Sequence, residues 1–318
     1  MYFRFTYKIK ENHMYTFIAN PNSRSGRGMQ IWNSLEDTLK RRNVCYQIFF
    51  TKYRRHATDI VRELTSDQKE HTIVVVGGDG TLNEVINGIV CLSKVTLGYI
   101  PDGSGNDFSR GMRLPKDPQK ALENILAAEH ERLLDIGVLA YEDTRRRFIV
   151  SSGIGFDAAV CHEVMVSKLK TVLNKIGLGS LTYVGVALRQ LATLKKNHMT
   201  LVLDDGRKQE FDKAYFAAAM NLPYEGGGFK FCPGADPQDG LLDVIVISDL
   251  SRLKILTLLP LAVKGWHTRF HGVDIYPCRR AELTSRTPHP VHTDGETEVG
   301  KTRVTFSVEP EKLRVIGM

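Results

Sequence analysis

The stretch Val74-Val75-Val76-Gly77-Gly78-Asp79-Gly80-Thr81-Leu82-Asn83-Glu84 runs from β-branched residues through glycines into a helix-forming segment. Glycine lets the backbone turn tightly and approach a ligand with no Cβ in the way. A helix starting there offers unpaired N–H groups and the positive end of its dipole, which suits phosphate. Asp79 adds a carboxylate at the carboxyl end of a buried strand, where ligands of open α/β sheets bind. Taken alone, GGDG fits an ordinary glycine-rich β–α turn equally well. Further along, the segment from Cys232 to Leu241 (CPGADPQDGL) places Asp236 and Asp239 three residues apart. Mg²⁺ takes carboxylate, carbonyl and water oxygens, and the same Asp, Pro and Gly also simply make turns. Asp294 and Glu296 lie in VHTDGE, where Asp-Gly predicts a tight turn.

The elements around these residues follow from hydrophobic period. Tyr15–Ala19 reads as a strand, followed by the loop NPNSRSGRG and a helix carrying Ile31, Leu35 and Leu39 on one face. Strands at Val44–Phe50, Thr72–Val76 and Leu97–Ile100 alternate with helices at Thr58–Leu64, Leu82–Ile89 and Asp117–Ala128. Such alternation marks βαβ units and a parallel sheet. From Arg132 the pattern becomes strand-like runs broken by Asp, Gly and Pro, with helical stretches at Phe156–Lys170, Leu181–Lys195 and Leu253–Val263. The expected fold class is therefore α/β. Residues 1–131 are expected to form an N-terminal parallel-sheet domain, and 132–308 a C-terminal, mostly β domain with inserted helices. Segment 309–318 is a candidate to rejoin the first domain. The loop Asn221–Gly228 (NLPYEGGG) reads as a flexible turn or a mobile edge, and Leu181–Lys195 as core packing or an acyl-facing helix.

At 318 residues, 42% of them hydrophobic and 25% charged, the chain is sized for about two globular domains. This excludes a disordered tail, a collagen-like fibre and a disulfide miniprotein. The longest apolar run, Ile255–Val263, is too short to span a bilayer. The amino terminus lacks the apolar core of a signal peptide, and Met14 is an alternative start to Met1. Cys45, Cys91, Cys161, Cys232 and Cys278 are odd in number and lack CxxC spacing, as expected of reduced thiols in a cytosolic protein. The ten histidines show no HExxH spacing. A net charge of +7 favours anionic partners: nucleotides, nucleic acid or an acidic membrane surface. The excess gathers around Arg24 to Arg55 and at Arg145, Arg146 and Arg147, where solvated faces account for it as well as a binding patch does.

GGDGTLNEVINGI joins three further motifs in order: Asn20-Pro21-Asn22-Ser23, the run from Pro101 to Arg110 (PDGSGNDFSR), and Asp294-Gly295-Glu296. Together they resemble the diacylglycerol kinase catalytic-domain family, which includes bacterial lipid kinases and the sphingosine and ceramide kinases. The resemblance spans roughly Met14 to the end. It implies that 1–131 is a phosphofructokinase/NAD-kinase-like nucleotide-binding domain, that 132–308 is a β-rich sandwich and lipid-acceptor domain, and that the protein is an ATP-dependent kinase with its nucleotide in a cleft between the two. The family's nucleotide contacts fall on Asn20, Pro21, Asn22, Ser23, Arg24, Thr51, Gly77, Gly78, Asp79, Gly80, Thr81, Leu82, Asn83, Glu84, Ser104 and Asn106. Position 104 is usually Thr in the bacterial branch, and Ser104 keeps the hydroxyl. Without the family, Thr51 reads as a strand-end residue. By resemblance, one Mg²⁺ falls on Asp236, Asp239 and the carbonyl of Leu241, and a second travels with ATP near Asp79. Glu296 is the implied proton acceptor, with Asp294 beside it and Asp79 as the competing candidate. The implied acceptor is a lipid alcohol such as diacylglycerol, reached by transient membrane-surface contact from a cytoplasmic, peripheral protein. Nucleic acid is not expected, and a homodimer stays open. An NAD kinase or phosphofructokinase-like activity is the first alternative, because those families share GGDG. A non-catalytic basic nucleotide- or nucleic-acid-binding protein is the second. The N-D-F-x-R segment and the NPNS loop argue against the first, and the Asp236, Asp239 and Glu296 matches are left unexplained by the second.

Overall fold

The computed structural model describes residues 14–155 and 196–317. The helices expected at Phe156–Lys170 and Leu181–Lys195 lie outside the described residues, as does Cys161. The chain divides into two units, one running up to Leu134 and resuming from Glu311, the other spanning Asp135–Pro310.

The first unit contains β1 (Tyr15–Ala19), α1 (Ser23–Arg41), β2 (Tyr46–Phe50), α2 (His56–Thr65), β3 (His71–Gly77), α3 (Asp79–Gly88), β4 (Val95–Pro101), α4 (Asp107–Gly111), α5 (Pro118–Ala127) and β5 (Glu131–Leu134). The last strand of the chain, Leu313–Ile316, inserts between β4 and β5, giving the order β2-β1-β3-β4-last-β5. All pairings are parallel except the one with β5. Ile73 to Val76 in β3 are wholly buried, as a strand covered on both faces requires, which explains an unbroken apolar run rather than an alternating one. Trp32, Leu35 and Leu39 of α1 and Ala121, Leu122 and Ile125 of α5 join Phe17, Val74, Val76 and Ile100 in one core.

Two expectations change here. Helix α1 begins at Ser23, so SRSGRG is its first turns and only Asn20–Asn22 remain a loop. Gly28 is the reason glycine occurs inside it: a Cβ there would stand 2.1 Å from the Asn20 carbonyl oxygen. The division expected at Arg132 falls within β5, because that strand pairs with the chain's last strand and so stays with the first sheet.

The second unit holds β6 (Gly137–Tyr141), β7 (Thr144–Phe148), β8 (Ser151–Gly155), β9 (Asn197–Leu203), β10 (Lys208–Met220), β11 (Leu242–Ser248), α6 (Arg252–Val263), β12 (Val273–Cys278), β13 (Arg280–Thr293) and β14 (Glu296–Val308). The chain's last strand is thus β15. The order is β12-β11-β10-β8-β13-β14-β6-β7, with β9 also pairing β10 and β13. β8 and β9 occupy one lane between the two long strands. Gly155 pairs with Phe216 and Asn197 with Ala214, two positions apart on β10. Phe148, Leu201, Val246, Leu283 and Phe306, from strands far apart in that order, share one core, so the sheet folds back on itself. α6 packs on a second cluster that includes Phe216, Cys232, Ile245 and Ile247. The Arg145–Arg147 group is not wholly a free patch. Arg145 and Arg147 clasp Glu309 at 2.5 and 2.7 Å. Burial pushes Glu309 up, yet the two guanidiniums hold its carboxyl below the usual carboxylate range.

His267, in the turn after α6, is 3% exposed and packs edge-on against Phe231. Burial pushes it down to about 4, weakly opposed by the Phe231 backbone. Because the folded value lies below the unfolded one, the unfolded chain takes up the extra proton between about pH 6.5 and 4. Stability is therefore lost as pH falls through that window, by up to about 3 kcal/mol. Denaturant melts at pH 7, 5.5 and 4.5 should show a shallower acid loss for His267→Leu. Parallel losses in both proteins would clear His267 of the effect.

Candidate functional site

In the first unit the chain runs from β1 outward to β2, then returns to the far side of β1 as β3. Ligands of open α/β sheets sit outside the carboxyl ends of the strands at such a reversal. The loops that leave β1, β3 and β4 there carry the sequence-predicted nucleotide residues. Across the reversal, the Asn20 side-chain amide donates to Thr81 Oγ1 at 3.5 Å, and the Asn20 Oδ1 accepts the Asn22 N–H at 3.0 Å. Ser23 Oγ binds both the Asn20 carbonyl and the Asp102 carboxylate. Arg24 Nε donates to the Gly103 carbonyl at 3.0 Å. Thr51 N–H meets the Ala19 carbonyl at 2.9 Å, which fixes Thr51 at the end of β2 beside these loops. Pro21 and Ser104 are half-buried and Asn22 is exposed.

Helix α3 starts at Asp79 with Gly78 as N-cap, and no side chain of Gly78 caps it. Asp79 serves a different helix. Its carboxylate accepts the N–H groups of Asp107 and Phe108 at 3.0 and 3.3 Å, capping α4. Asn106, at φ +52°, ties the loop after β4 by bridging the Gly103 N–H and carbonyl at 2.7 and 2.9 Å. Burial raises Asp102 above the ordinary carboxylate value, opposed by Ser23 and by the charges of Arg24 and Arg27. Behind it, burial first and then the carboxylates Asp79, Asp102 and Asp107 hold the Tyr99 phenol well above its ordinary value. The predicted residues are not equally placed. Leu82 and Asn83 have wholly buried side chains. Glu84 caps α2 through the N–H groups of Arg55 and Ala57, at 2.8 and 3.2 Å. A groove of about 970 Å³ lies at the opposite, amino-terminal edge of this sheet, away from all of these loops.

The glycines bring two loops together. A Cβ on Gly78 would stand 3.0 Å from the Gly103 Cα, and one on Gly103 only 2.7 Å from the Gly78 Cα. Gly78→Ala should therefore part the loops after β3 and β4. Nucleotide affinity should fall at least about tenfold, a loss of 1.4 kcal/mol, while the unfolding midpoint shifts little. Unchanged affinity by calorimetry would show that the loops need not touch.

In the second unit Asp294 and Gly295, at φ +48° and +85°, form the two-residue turn of the β13–β14 hairpin. Asp-Gly is favoured where both turn residues need positive φ. The Asp294 carboxylate accepts three backbone N–H groups, those of Ile149, Val150 and Ser151, at 2.9 to 3.0 Å. Glu296 opens β14 directly opposite Thr293 and is half-buried. Two residues without a motif of their own adjoin the turn. Buried His292 places Nε2 3.1 Å from Glu225 Oε1, while its Nδ1 accepts the Gly295 N–H at 3.3 Å. Glu225 belongs to the NLPYEGGG loop, so that segment is tied to the turn through a buried contact and is more than a flexible edge.

The carboxylates of the CPGADPQDGL loop are exposed. Asp236 Oδ1 accepts the Gln238 N–H at 3.1 Å and Asp239 Oδ1 the Leu241 N–H at 2.9 Å. Asp135, 1% exposed and equally without a motif, anchors the loop. Its carboxylate accepts the Gly240 N–H at 2.8 Å, and its backbone N–H donates to the Pro237 carbonyl. Among the described residues, no group of three or more His, Cys, Asp or Glu side chains is arranged to hold a metal. The donor set expected here is smaller and all-oxygen, two carboxylates and one carbonyl. Burial first, and then the charge of Asp239, raise Asp243 above the ordinary carboxylate value, and two carboxylates with a carbonyl are the oxygen donors that Mg²⁺ takes. The residues present fit Mg²⁺.

Comparison with known proteins shows two domains of one family. Residues 14–139 match the family model "Diacylglycerol kinase catalytic domain", and 149–317 match the "YegS C-terminal NAD kinase beta sandwich-like domain". The "Putative lipid kinase YtlR" of Bacillus subtilis is 31% identical over 306 residues, covering 94% of this chain and 98% of that protein. The "Diacylglycerol kinase" of Staphylococcus saprophyticus is 29% identical over 249 residues, covering 76% of this chain and 77% of its own. The crystal structure of a "putative diacylglycerol kinase" from Bacillus anthracis superposes with a TM-score of 0.74 at 23% identity, covering 98% of this chain and 99% of that one. A parallel α/β sheet followed by an antiparallel β-rich unit is the fold that this chain shares with that structure. The chain belongs to the diacylglycerol kinase family.

Proposed function

We propose that this protein is an ATP- and Mg²⁺-dependent lipid kinase that transfers the γ-phosphate to the hydroxyl of a lipid alcohol such as diacylglycerol. The observation that carries this reading is the strand-order reversal. There α3 begins without a side-chain cap from Gly78, Asn20 and Thr81 meet, and Arg24 and Arg27 add positive charge. Helix N-terminal N–H groups and guanidiniums stabilise the charge that builds on a transferring phosphate. The names of the relatives, a lipid kinase and diacylglycerol kinases, support the lipid acceptor.

Glu296 takes the acceptor hydroxyl's proton in this reading, because it stands in the DGE motif that the family resemblance marks for that role, whereas the Asp294 oxygens hold three backbone N–H groups and the Asp79 oxygens two. Asp294 then keeps the turn in place and Asp79 keeps the loop after β4 in place. Asp236, Asp239 and the Leu241 carbonyl would hold one Mg²⁺, which supplies positive charge and rigidity to its loop. The deciding experiment is phosphate transfer from labelled ATP to a panel of lipids, sugars and NAD. Label in the lipid fraction supports the reading, and label in NAD or sugar alone overturns it. Asp239→Ala should also abolish the rise in melting temperature that Mg²⁺ gives without nucleotide. An unchanged rise in that variant would place the metal elsewhere.

A further inference from the structure

We infer that α6 and the turn that follows it form a docking face for an anionic phospholipid surface. The inference deepens the lipid-kinase reading, on which its biological use rests, by naming the surface that meets the substrate's phase. Helix α6, RLKILTLLPLAV, is apolar on more than one side. Its inner face is accounted for: Leu258 and Ala262 are buried, and Ile255 and Leu261 pack partly into the cluster around Phe216 and Ile245. The outer face is not. Leu253, Leu256, Val263 and Trp266 are 72%, 37%, 52% and 49% exposed. Leu253, Leu256, Pro260 and Val263 are spaced three, four and three residues apart, so they line one side of the helix over about 15 Å. A surface helix of a globular protein normally turns polar residues outward at such positions.

Charge says what covers this face. From Ser251 to Gly272 the chain carries Arg252, Lys254, Lys264 and Arg269 and no Asp or Glu. Lys230 joins them from the neighbouring loop, its N–H donating to the Ala262 carbonyl at 2.8 Å. The ammonium groups sit against aromatic rings: Lys254 lies 5.0 Å from the Phe270 centroid and Lys264 4.8 Å from that of Trp266. An apolar stripe with a tryptophan at one end and cations at both ends is the composition of helices that lie in a membrane interface. At 12 residues α6 is too short to cross, and no described helix is long and apolar enough to do so. A second copy docking face to face would oppose Lys254, Lys264 and Arg269 to the same cations of its partner. An anionic bilayer takes the stripe and the cations together.

The test uses the full chain in flotation assays with phosphatidylcholine vesicles, with and without phosphatidylglycerol, in the absence of ATP. The protein should float with the anionic vesicles only, and binding should fall as salt is raised. K254Q/K264Q should weaken it about 30-fold, and L253S/L256S at least about tenfold, both with unchanged melting temperature. The inference is overturned if the unsubstituted protein ignores anionic vesicles or if both variants bind like it. It is equally overturned if the substitutions dissolve a dimer on size exclusion and leave vesicle binding intact, since a second copy is then the occupant. Phosphate transfer to an acceptor dispersed in detergent separates the two readings. Vesicle binding through α6 without transfer defeats only the kinase, and transfer with vesicle binding indifferent to α6 defeats only the docking face.

Discussion

Glu296→Gln should transfer phosphate about 10²–10⁴-fold more slowly than the unsubstituted protein and hold ATP with unchanged affinity. The substitution keeps the size of the side chain and removes its ability to take a proton. Glu296, which opens β14, is not among the expected nucleotide contacts, so the loss should be confined to the transfer rate. Asp79→Asn should behave differently. Its carboxylate caps α4 through the Asp107 and Phe108 N–H groups, and an amide offers one acceptor where two are used. The loop after β4 loosens, and MgATP affinity falls. Single-turnover transfer and calorimetric titration measure the two effects separately. An undiminished transfer rate in Glu296→Gln, together with an Asp79→Asn protein that binds MgATP normally and transfers nothing, would make Asp79 the base.

The second large effect is expected from removing residues 311–318. Leu313, Val315 and Ile316 are at most 4% exposed, and their strand separates β4 from β5. Returning three such side chains to water costs roughly 5–9 kcal/mol, comparable with the whole stability of a domain at about 5–15 kcal/mol. The truncated chain should lose the cooperative unfolding of its first unit and expose an unpaired edge on β4 that promotes aggregation. Circular dichroism melts and amide hydrogen exchange of β3 and β4 report this directly. A truncated protein with the original midpoint and protection would show that β15 is dispensable.

Much of the parallel sheet is legible in the sequence, because strands buried on both faces read as continuous β-branched runs, TIVVV above all. The glycine loop is legible for a related reason: glycine, aspartate and a helix start are each required locally. What misleads is glycine in a helix. Gly26 and Gly28 suggest a loop, yet Gly28 serves the close pass of α1 over the Asn20 carbonyl, a tertiary demand. Strand β13 is hidden by Pro288 and Pro290, which ordinarily exclude a strand interior. The register shifts between Thr284 and Val291 accommodate them. The Glu225–His292 contact and the hold of Asp135 on the CPGADPQDGL loop join residues 67 and about 100 positions apart, and no motif announces such pairs. The roles of Asp79, Glu84 and Asp294 as backbone anchors are equally invisible until the N–H groups they bind are in place.

The position of β15 also orders the life of a newly made chain. The ribosome delivers β1 to β5 first, then every strand of the second unit, and only afterwards the residues that fill the gap between β4 and β5. Until translation reaches Leu313, β4 has an open edge beside the most apolar strand of the sheet and β5 has no strand to pair with, while the described strands of the antiparallel unit have all been made. The portion synthesised first is thus the last to close, and it depends longest on whatever shields an unfinished polypeptide from its neighbours.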